Sequence, residues 1–417
     1  MNLESINLCD LGQFERGCPH ETFAYLRQNA PIWWHPGNVD TPDNEGFWVI
    51  SRNADARAIL KDHHNFSSET GRGAREGGGT ALFDMGTDMA AGQVLSMMDP
   101  PKHDDIRGIV SQGFFPRTLA LMEERSRQLA REILADLQVP GEIDFLNAVA
   151  VNLPLYMICT IAGLPREDWH RMVAWADAAI EFAANDPESD KDALIATMTD
   201  MGTYAFELIG KLREAPNDSV FSQVVHATIP GEDGEPRALD ELELIRFFNL
   251  LISGGTETTR NAIAGGFHEL LKHPQQYQDL KANFDELADN AVEEILRYTS
   301  PVHFNRRTLC DDLEYGGHAM KRGDKVTVWY PSANRDETVF DNPGAFDIHR
   351  PNANKHVSFG YGIHHCLGAA LARMEIRIVL QEFIALYGDR DVQPVGEVTF
   401  IRSNRHQGVA QARISIT

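Results

Sequence analysis

Residues 359–368 read Phe-Gly-Tyr-Gly-Ile-His-His-Cys-Leu-Gly, and the rest of the chain is interpreted outward from this stretch. Three glycines, Gly360, Gly362 and Gly368, surround Cys366. Glycine adopts a positive φ without strain and leaves room for the close approach of a large flat ligand. The stretch therefore predicts a tight loop that presents one cysteine to a bulky partner.

Residues 367–380, directly after Cys366, are rich in helix formers and carry apolar residues at helical spacing. We therefore expect Cys366 at a helix N-terminus, where free N–H groups and the helix dipole favour an anion. Such a cysteine is prone to form a thiolate, and it serves as a nucleophile or a metal ligand. The remaining cysteines are predicted to be buried, small apolar side chains: Cys9, Cys18, Cys159 and Cys310.

Composition limits the classes of partner. The 417 residues carry a net charge of −23, which disfavours nucleic acid and anionic membrane surfaces. Five cysteines without regular spacing indicate a reducing compartment. The N-terminus lacks a signal-peptide pattern, and the longest uncharged apolar run, residues 153–165, is too short to span a bilayer. We expect a cytoplasmic monomer with no membrane and no nucleic-acid partner.

Residues 241–272 predict one long central helix of about 48 Å. Asp240 and Glu243 form a capping-box pattern at its start, and Pro274 limits its end. Residues 253–259 inside it read Ser-Gly-Gly-Thr-Glu-Thr-Thr. Two adjacent glycines cost a helix interior about 1 kcal/mol each, so a groove for a flat ring or O2 would compensate. A threonine hydroxyl there can bond back to a carbonyl and distort the turn.

The spacing Phe-Gly-x-Gly-x-His-x-Cys-x-Gly in residues 359–368 resembles the haem-binding loop of the cytochrome P450 family. The resemblance implies a mainly α fold with small β-sheets and a single haem domain over residues 1–417. It implies haem b as cofactor, Cys366 as the axial iron ligand, and His364 as a contact of a haem propionate. Phe359 and Gly368 complete the cofactor loop. A thiolate ligand donates electron density that favours O–O cleavage.

The same resemblance divides the chain into functional segments. Residues 351–368 become the haem-thiolate loop, residues 241–272 the long central helix, and residues 165–215 the lid helices. Residues 69–98 are glycine-rich, but their spacing misses G-x-G-x-x-G, so we predict an active-site loop and no nucleotide site. Residues 313–330 are predicted as two strands, and residues 331–358 as a long loop.

Residues 254–258 look like the family's proton-delivery segment. The resemblance assigns Thr258 to bound oxygen or its water and Glu257 to proton relay from solvent. Gly254 and Gly255 supply room for the cofactor.

Residues 100–107 resemble the family segment Pro-Pro-x-His-x-x-x-Arg, whose His and Arg bind haem propionate. His103 and Arg107 stand four apart on one helix face, and the arginine fork matches a carboxylate. The family places another propionate-binding arginine near residue 307. Arg306 and Arg307 compete for that role, and the register of the following residues 312–314 favours Arg307.

Glu294 and Arg297 resemble the family's buried Glu-x-x-Arg pair, with Arg350 as the candidate third partner. We assign all three to structure. Losing one partner of a buried network is expected to cost several kcal/mol.

The family implies monooxygenation of an apolar small molecule, such as a terpenoid, a sterol side chain or an alkyl chain, with O2. Because no flavin or iron–sulfur motif is present, electrons are expected from a ferredoxin and its NAD(P)H-dependent reductase. Docking is expected through basic residues on the Cys366 side, namely Lys102, Arg117, Arg373 and Arg377. The candidate substrate contacts are Leu82, Phe83, Leu95, Met97, Phe182, Leu251, Val302, Phe304 and Ile401.

Three alternatives stay open at this point. A peroxide-driven peroxygenase needs no proton relay, and Glu257 followed by Thr258 argues against it. A non-enzymatic haem sensor predicts that no organic ligand displaces iron-bound water. A zinc site is possible by residue type, with ligands from His356, His364, His365 and Cys366.

Overall fold

Helices account for 52% of the structure, and the sheets are small. The computed structural model describes residues 1–111, 116–184, 189–231 and 234–417, the side chains of residues 116–118, 121, 180, 183 and 184 excepted. The α-helices of this part are α1 His20–Asn29, α2 Asn53–Lys61, α3 Lys102–Ser111, α4 Pro116–Ala135, α5 Asn152–Ala162, α6 Trp169–Ala184, α7 Lys191–Glu214, α8 Val220–Val225, α9 Glu241–Leu271, α10 Pro274–Ala282, α11 Phe284–Thr299, α12 Tyr330–Ala333 and α13 Ala369–Tyr387.

The strands form five small sheets in the described ranges. They are β1 Ile32–His35, β2 Phe47–Ile50, β3 Phe66–Ser67, β4 Gly77–Gly78, β5 Met85–Gly86, β6 Gly141–Asp144, β7 Thr228–Pro230, β8 Pro236–Ala238, β9 Phe304–Leu309, β10 Leu313–Tyr315, β11 His318–Met320, β12 Lys325–Trp329, β13 Val392–Phe400 and β14 Val409–Ile416. The largest sheet has the order β1-β2-β12-β9-β3, and a second has the order β13-β14-β6. β12 runs parallel to β2, with Thr327 opposite Val49.

Helix α9 is the central element, as predicted. It spans 31 residues and packs against α5, α6, α7, α11, α13 and the β13–β14 hairpin. The capping box is confirmed: the Glu243 N–H donates to the Asp240 side chain at 2.8 Å, and the Asp240 N–H donates back to Glu243 at 3.0 Å. The helix therefore begins at the predicted residue and ends one residue early, at Leu271.

The prediction of two strands over residues 313–330 is wrong, because three strands lie there. Gly316 and Gly317 both adopt positive φ, 57° and 82°, and join β10 to β11 as an extra hairpin. A Gly-Gly pair between short strands is a hairpin signal that the sequence carried. The predicted loop over residues 331–358 is largely irregular, apart from most of α12 and a short 3-10 turn at Ala353–Lys355.

Four cysteines are buried as predicted, namely Cys9, Cys18, Cys159 and Cys310, and Cys366 is exposed. No helix in the ranges that the structure describes combines the length and apolar character needed to cross a membrane.

Glu294, Arg297 and Arg350 meet in the interior. Glu294 and Arg297 are fully buried and form two contacts of 2.6 and 2.7 Å. The Arg350 Nε adds contacts of 3.1 and 3.3 Å to the same carboxylate. Backbone carbonyls accept the remaining guanidinium hydrogens, and the Asp347 N–H donates to Glu294 at 2.8 Å. The network joins α11 to the irregular segment that leads into the Cys366 loop.

Candidate active site

The Cys366 loop is held by backbone contacts that require glycine. The Cys366 N–H donates to the Phe359 carbonyl at 2.8 Å. Gly360 and Gly362 have φ of 71° and 74°, a region that other residues rarely adopt. A Cβ added to Gly362 would lie 2.4 Å from the Leu60 carbonyl oxygen, so the loop is braced directly against α2.

Cys366 lies in a recess. The residue is exposed to solvent, yet surrounding protein desolvates the sulfur and raises the pKa of the thiol. The Gly368 N–H, Arg107 and Arg373 oppose this rise. Cys366 lies three residues before Ala369, the first residue of α13, and burial of the sulfur has a larger effect on its pKa than the groups that favour the thiolate. A coordinated metal deprotonates a thiol outright.

Cationic and imidazole side chains gather beside Cys366, and among the described residues the carboxylate in contact with them is the exposed Asp104, 2.8 Å from His103 Nδ1. The rings of His103 and His364 lie 4.5 Å apart between centroids, and the Nε2 of each is buried without a hydrogen-bond partner. Arg107 donates to the His365 carbonyl at 2.6 Å, which places its guanidinium at the loop. Burial, Arg307, His103 and Arg107 together lower the pKa of His364 to about 2. The recess thus favours an anion.

The neighbouring arginines of β9 differ in their partners. Arg306 is fully buried and already forms an ion pair with Asp84 at 2.7 Å. Arg307 is 3% exposed and donates to the Arg306 carbonyl at 2.9 Å, and within the described residues no carboxylate lies at ion-pair distance from it. Burial lowers the pKa of Arg307. Arg307 is therefore the guanidinium available to an added anion.

The polar segment of α9 contains one open and one packed glycine. A Cβ added to Gly254 would find only Leu250 Cδ1, at 4.0 Å, whereas one added to Gly255 would lie 2.2 Å from Ile158 Cδ1 of α5. Gly255 thus allows α9 to pack closely against α5, whereas the space beside Gly254 is open. The Thr258 hydroxyl donates to the Gly254 carbonyl at 3.2 Å, as the sequence predicted.

Glu257 is a buried carboxyl whose desolvation outweighs the effect of its charged neighbours. The residue is 2% exposed, and its Oε1 has no hydrogen-bond partner. Burial raises the pKa of this carboxyl to about 7, although Arg260 and Asn261 favour the charged form. Arg260 is already engaged with Asp177 of α6 at 2.8 Å. The site therefore contains an acid that titrates near neutral pH, one residue before Thr258.

The comparisons with known proteins agree with this geometry. Residues 151–388 match the family model for cytochrome P450. This chain belongs to the cytochrome P450 family. It is 42% identical to the putative cytochrome P450 126 of Mycobacterium tuberculosis over 98% of this chain and 96% of that protein. It is 36% identical to the methyl-branched lipid omega-hydroxylase of the same species over 86% and 82% of the two chains.

A solved structure shows the same fold. The cytochrome P450 CYP268A2 of Mycobacterium marinum, in complex with pseudoionone, has a TM-score of 0.88 and 30% identity, and the match covers 100% of this chain and 99% of that one. The protein is accordingly a P450 monooxygenase with haem b as its cofactor.

The residues of this P450 fit haem. Two carboxylates of the cofactor require cationic or N–H donors, and the unpartnered Nε2 atoms of His103 and His364 and the buried Arg307 provide them. Gly254 and Gly368 leave open space, since a Cβ added to Gly368 would meet nothing within 4 Å. Phe359 lies under the Arg373 guanidinium, 4.5 Å from the ring centroid, which fixes the start of the loop.

The predicted substrate contacts separate into two groups. Four are buried, namely Leu82, Leu95, Leu251 and Phe304. Five are partly exposed, namely Phe83, Met97, Phe182, Val302 and Ile401. The buried group belongs to the apolar clusters that build the domain, so the partly exposed group contains the better candidates for substrate contact.

The predicted basic docking residues of this P450 carry acidic partners. Arg373 contacts Glu293 at 2.5 Å, Arg377 contacts Asp289 at 3.1 Å, and Lys102 approaches Glu243 at 3.6 Å. The side chain of Arg117 lies outside the described residues. A cleft of about 420 Å³ opens beside Arg373 and Arg377, between α4, α11 and α13. This face is therefore mixed in charge, unlike the basic cluster that the sequence suggested.

The zinc alternative is not supported. Across the part of the chain that the structure describes, no group of three or more His, Cys, Asp or Glu side chains could hold a metal ion. His356 instead contacts Glu293 at 3.1 Å.

Sequence reasoning missed two polar features near the site. Arg405 and His406 lie in the loop between β13 and β14, and Arg405 donates to Asn305 Oδ1 at 2.7 Å. The only sequence signal was an Arg-His pair between two apolar strands. Glu375 of α13 is 1% exposed, and its Oε1 has no hydrogen-bond partner.

Glu375 predicts a pH-dependent stability. Burial raises the pKa of its carboxyl to about 8, so the native state keeps a proton that the unfolded chain releases above its ordinary pKa of 4.5. The contribution of Glu375 to the free energy of unfolding is therefore fully present below pH 4.5 and is lost as pH rises through 8. We expect Glu375→Gln to be more stable than the parent at high pH by several kcal/mol, and by little at low pH. Urea unfolding across this pH range measures the difference in stability, and Glu314→Gln, at an exposed position, is the control. If the stability of Glu375→Gln had the same pH dependence as that of the parent, the raised pKa of Glu375 would be contradicted.

Proposed function

We propose that this P450 hydroxylates an apolar small molecule of terpenoid, sterol-side-chain or alkyl-chain type, with O2 and electrons from a ferredoxin and its NAD(P)H-dependent reductase. The observation that carries the proposal is the group of donors around Cys366, in which the Nε2 atoms of His103 and His364 are buried and unpartnered. The central helix of the same domain bears Glu257 and Thr258. Haem, when bound with a thiolate ligand, supplies the binding and cleavage of O2.

The side chains of the recess hold the cofactor in this proposal. Cys366 would provide the thiolate that ligates the haem iron. Its glycine loop is braced on α2 and so sets the position of the sulfur. The cofactor carboxylates are bound by four side chains at the recess, namely His103, Arg107, Arg307 and His364. The Nε2 atoms of both histidines are unpartnered, and both arginines donate to backbone carbonyls. The carboxylate in contact with this group is the exposed Asp104, beside His103.

Glu257 and Thr258 hold and transfer the protons that the reaction needs in this proposal. A general acid is most effective when its pKa lies near the working pH, and the pKa of Glu257 is about 7. The Thr258 hydroxyl is anchored on the Gly254 carbonyl, beside the open position of α9. Glu257 takes a proton from water and releases it toward Thr258, which positions the final donor.

The apolar substrate class is supported by the lining candidates and by the relatives. Partly exposed apolar surface comes from four separate segments and is provided by Phe83 and Met97 of residues 69–98, Phe182, Val302 and Ile401. One relative is named for hydroxylating a methyl-branched lipid, and the solved relative binds pseudoionone. Helices α6 and α7, within residues 165–215, form the lid in this proposal, and residues 69–98 form the active-site loop.

A ligand panel and a comparison of oxidants test the proposal. Terpenes, sterols and fatty acids are titrated against the haem-loaded protein, and the shift of iron spin state is recorded. The best ligand is then turned over with ferredoxin, reductase and NADH, or with hydrogen peroxide alone. We expect hydroxylated product with the electron-transfer chain. Faster product formation with peroxide alone would favour the peroxygenase alternative.

Thr258→Ala is expected to separate oxygen consumption from product formation. Substrate binding and reduction should persist, because the hydroxyl contacts only the Gly254 carbonyl. Product per NADH should fall by roughly tenfold or more, with hydrogen peroxide in its place, because a positioned proton donor is lost. Thr258→Ser keeps the hydroxyl and is the matched control. Full coupling of NADH to product in the alanine variant would rule out the relay.

A further inference from the structure

The carboxyl of Glu257 faces one side chain from outside α9 that has no assigned role. His406 lies in the loop between β13 and β14, where it forms a bridge with Val302 and donates its backbone N–H to Ser403 Oγ at 3.2 Å. Its Nδ1 lies 3.7 Å from Glu257 Oε2. The side chains are 14% and 3% exposed, respectively.

Both groups contain an unsatisfied buried atom. The Nδ1 of His406 and the Oε1 of Glu257 have no hydrogen-bond partner. Buried polar atoms are normally paired, and the atom of this carboxyl that lies 3.7 Å from the unpaired His406 Nδ1 is its other oxygen, Oε2. Closing the separation of 3.7 Å to hydrogen-bond length needs less than about 1 Å of movement.

The surroundings favour a neutral pair. Burial, Arg405 and His303 lower the pKa of His406 far below its ordinary value, so its imidazole is neutral and its Nδ1 can accept a hydrogen bond. Burial raises the pKa of Glu257 to about 7, so its protonated form is populated and can donate. The other charged or polar groups that face the pair are Arg260 and Asn261 of α9, Asp177 of α6, and Arg405 of the same loop as His406.

The loop that carries His406 is fixed relative to α9. The Val409 N–H donates to Asn261 Oδ1 at 3.0 Å, which ties the start of β14 to the helix. A Cβ added to Gly408 would lie 3.6 Å from Glu257 Oε1 and 2.4 Å from Ile401, so backbone passes close to the carboxyl. His406 is thus held in front of Glu257 by backbone contacts.

We propose that His406 is a positioning residue for proton delivery: its neutral Nδ1 accepts a hydrogen bond from protonated Glu257 and sets the direction of that carboxyl. The proton stays on Glu257 in this contact. When Glu257 releases it toward Thr258, one proton from water replaces it and the pair returns to its starting state. The inference rests on the proposed role of Glu257, and it adds the C-terminal loop to the groups that control delivery.

Infrared spectroscopy of the haem-loaded protein tests the contact directly. The C=O stretching band of protonated Glu257 is recorded well below its pKa and is identified by its loss in Glu257→Gln. In His406→Leu, which lacks the acceptor, we expect the band to move to higher frequency and the pKa of Glu257 to fall. His406→Gln restores an acceptor and should return the band toward the parent position. His406→Ala replaces the leucine variant if that one does not fold.

Turnover supplies the second measurement. Product per NADH should fall several-fold in His406→Leu and recover in His406→Gln, with ligand binding unchanged. Arg402→Gln alters the outer part of the same loop, where Arg402 contacts Glu15 at 3.3 Å, and is the control. An unchanged band in His406→Leu overturns the inference. If Glu257→Gln still converts NADH fully to product, the proposed role of Glu257 is overturned instead. That conclusion does not depend on the infrared band of the His406 variants.

Discussion

Cys366→Ser is expected to remove the thiolate ligand and reduce monooxygenase turnover to background. A serine hydroxyl has a far higher pKa than a thiol, so it does not replace the anionic ligand that donates electron density to the iron. In the proposed site the cofactor carboxylates are also held by His103, Arg107, Arg307 and His364, so some haem should still bind. The spectrum of the reduced, CO-treated protein, the haem content and the product yield measure these effects.

Cys310→Ser is the matched control, because Cys310 is buried away from the recess, among the strands around β9. It should keep the parent spectrum in the fraction that folds. A Cys366→Ser protein that retained the parent spectrum and turnover would refute both the ligand assignment and the interpretation of residues 359–368.

Glu294→Gln is expected to destabilise the fold by about 3–5 kcal/mol, because it leaves two buried guanidinium groups without their shared negative charge. The carboxylate contacts Arg297 at 2.6 Å and Arg350 at 3.1 Å, and also accepts the Asp347 N–H at 2.8 Å. The network supports the segment that leads to Cys366, so haem retention should fall with stability. The midpoint of denaturant unfolding and the haem content report the change.

Glu142→Gln is the control for charge removal at an exposed pair. Glu142 and Arg413 lie 3.8 Å apart, and their side chains are 62% and 45% exposed. Its effect should stay within about 0.5 kcal/mol, since exposed ion pairs contribute little. If Glu294→Gln unfolded at the same denaturant concentration as Glu142→Gln, the buried network would not have the structural role assigned to it.

Local signals in the sequence account for much of the fold. The capping box at Asp240 and Glu243 marked the start of α9. Gly360 and Gly362 of the Cys366 loop have the positive φ values that their spacing indicated, whereas Gly368 has a φ of −83°. These features depend on residues within a few positions of each other.

Contacts between distant segments explain what the sequence did not predict. Gly255 faces Ile158, and Glu257 faces His406, almost 150 residues later in the chain. The pKa of Cys366 depends on how closely other segments surround the sulfur, which its position before α13 does not reveal. The acidic partners of Arg373 and Arg377 come from α11, which the charge pattern along α13 does not reveal.

The parallel pairing of β2 with β12 also means that β2 is synthesised long before its partner strand. The Thr327 hydroxyl bonds to the Trp48 carbonyl across a separation of 279 residues. At about 5–20 residues per second, the early strands wait roughly 15–55 s before their partner is synthesised. Their unpaired edge is available to other nascent chains during that interval, so expression at lower temperature or with added chaperones should raise the yield of folded protein.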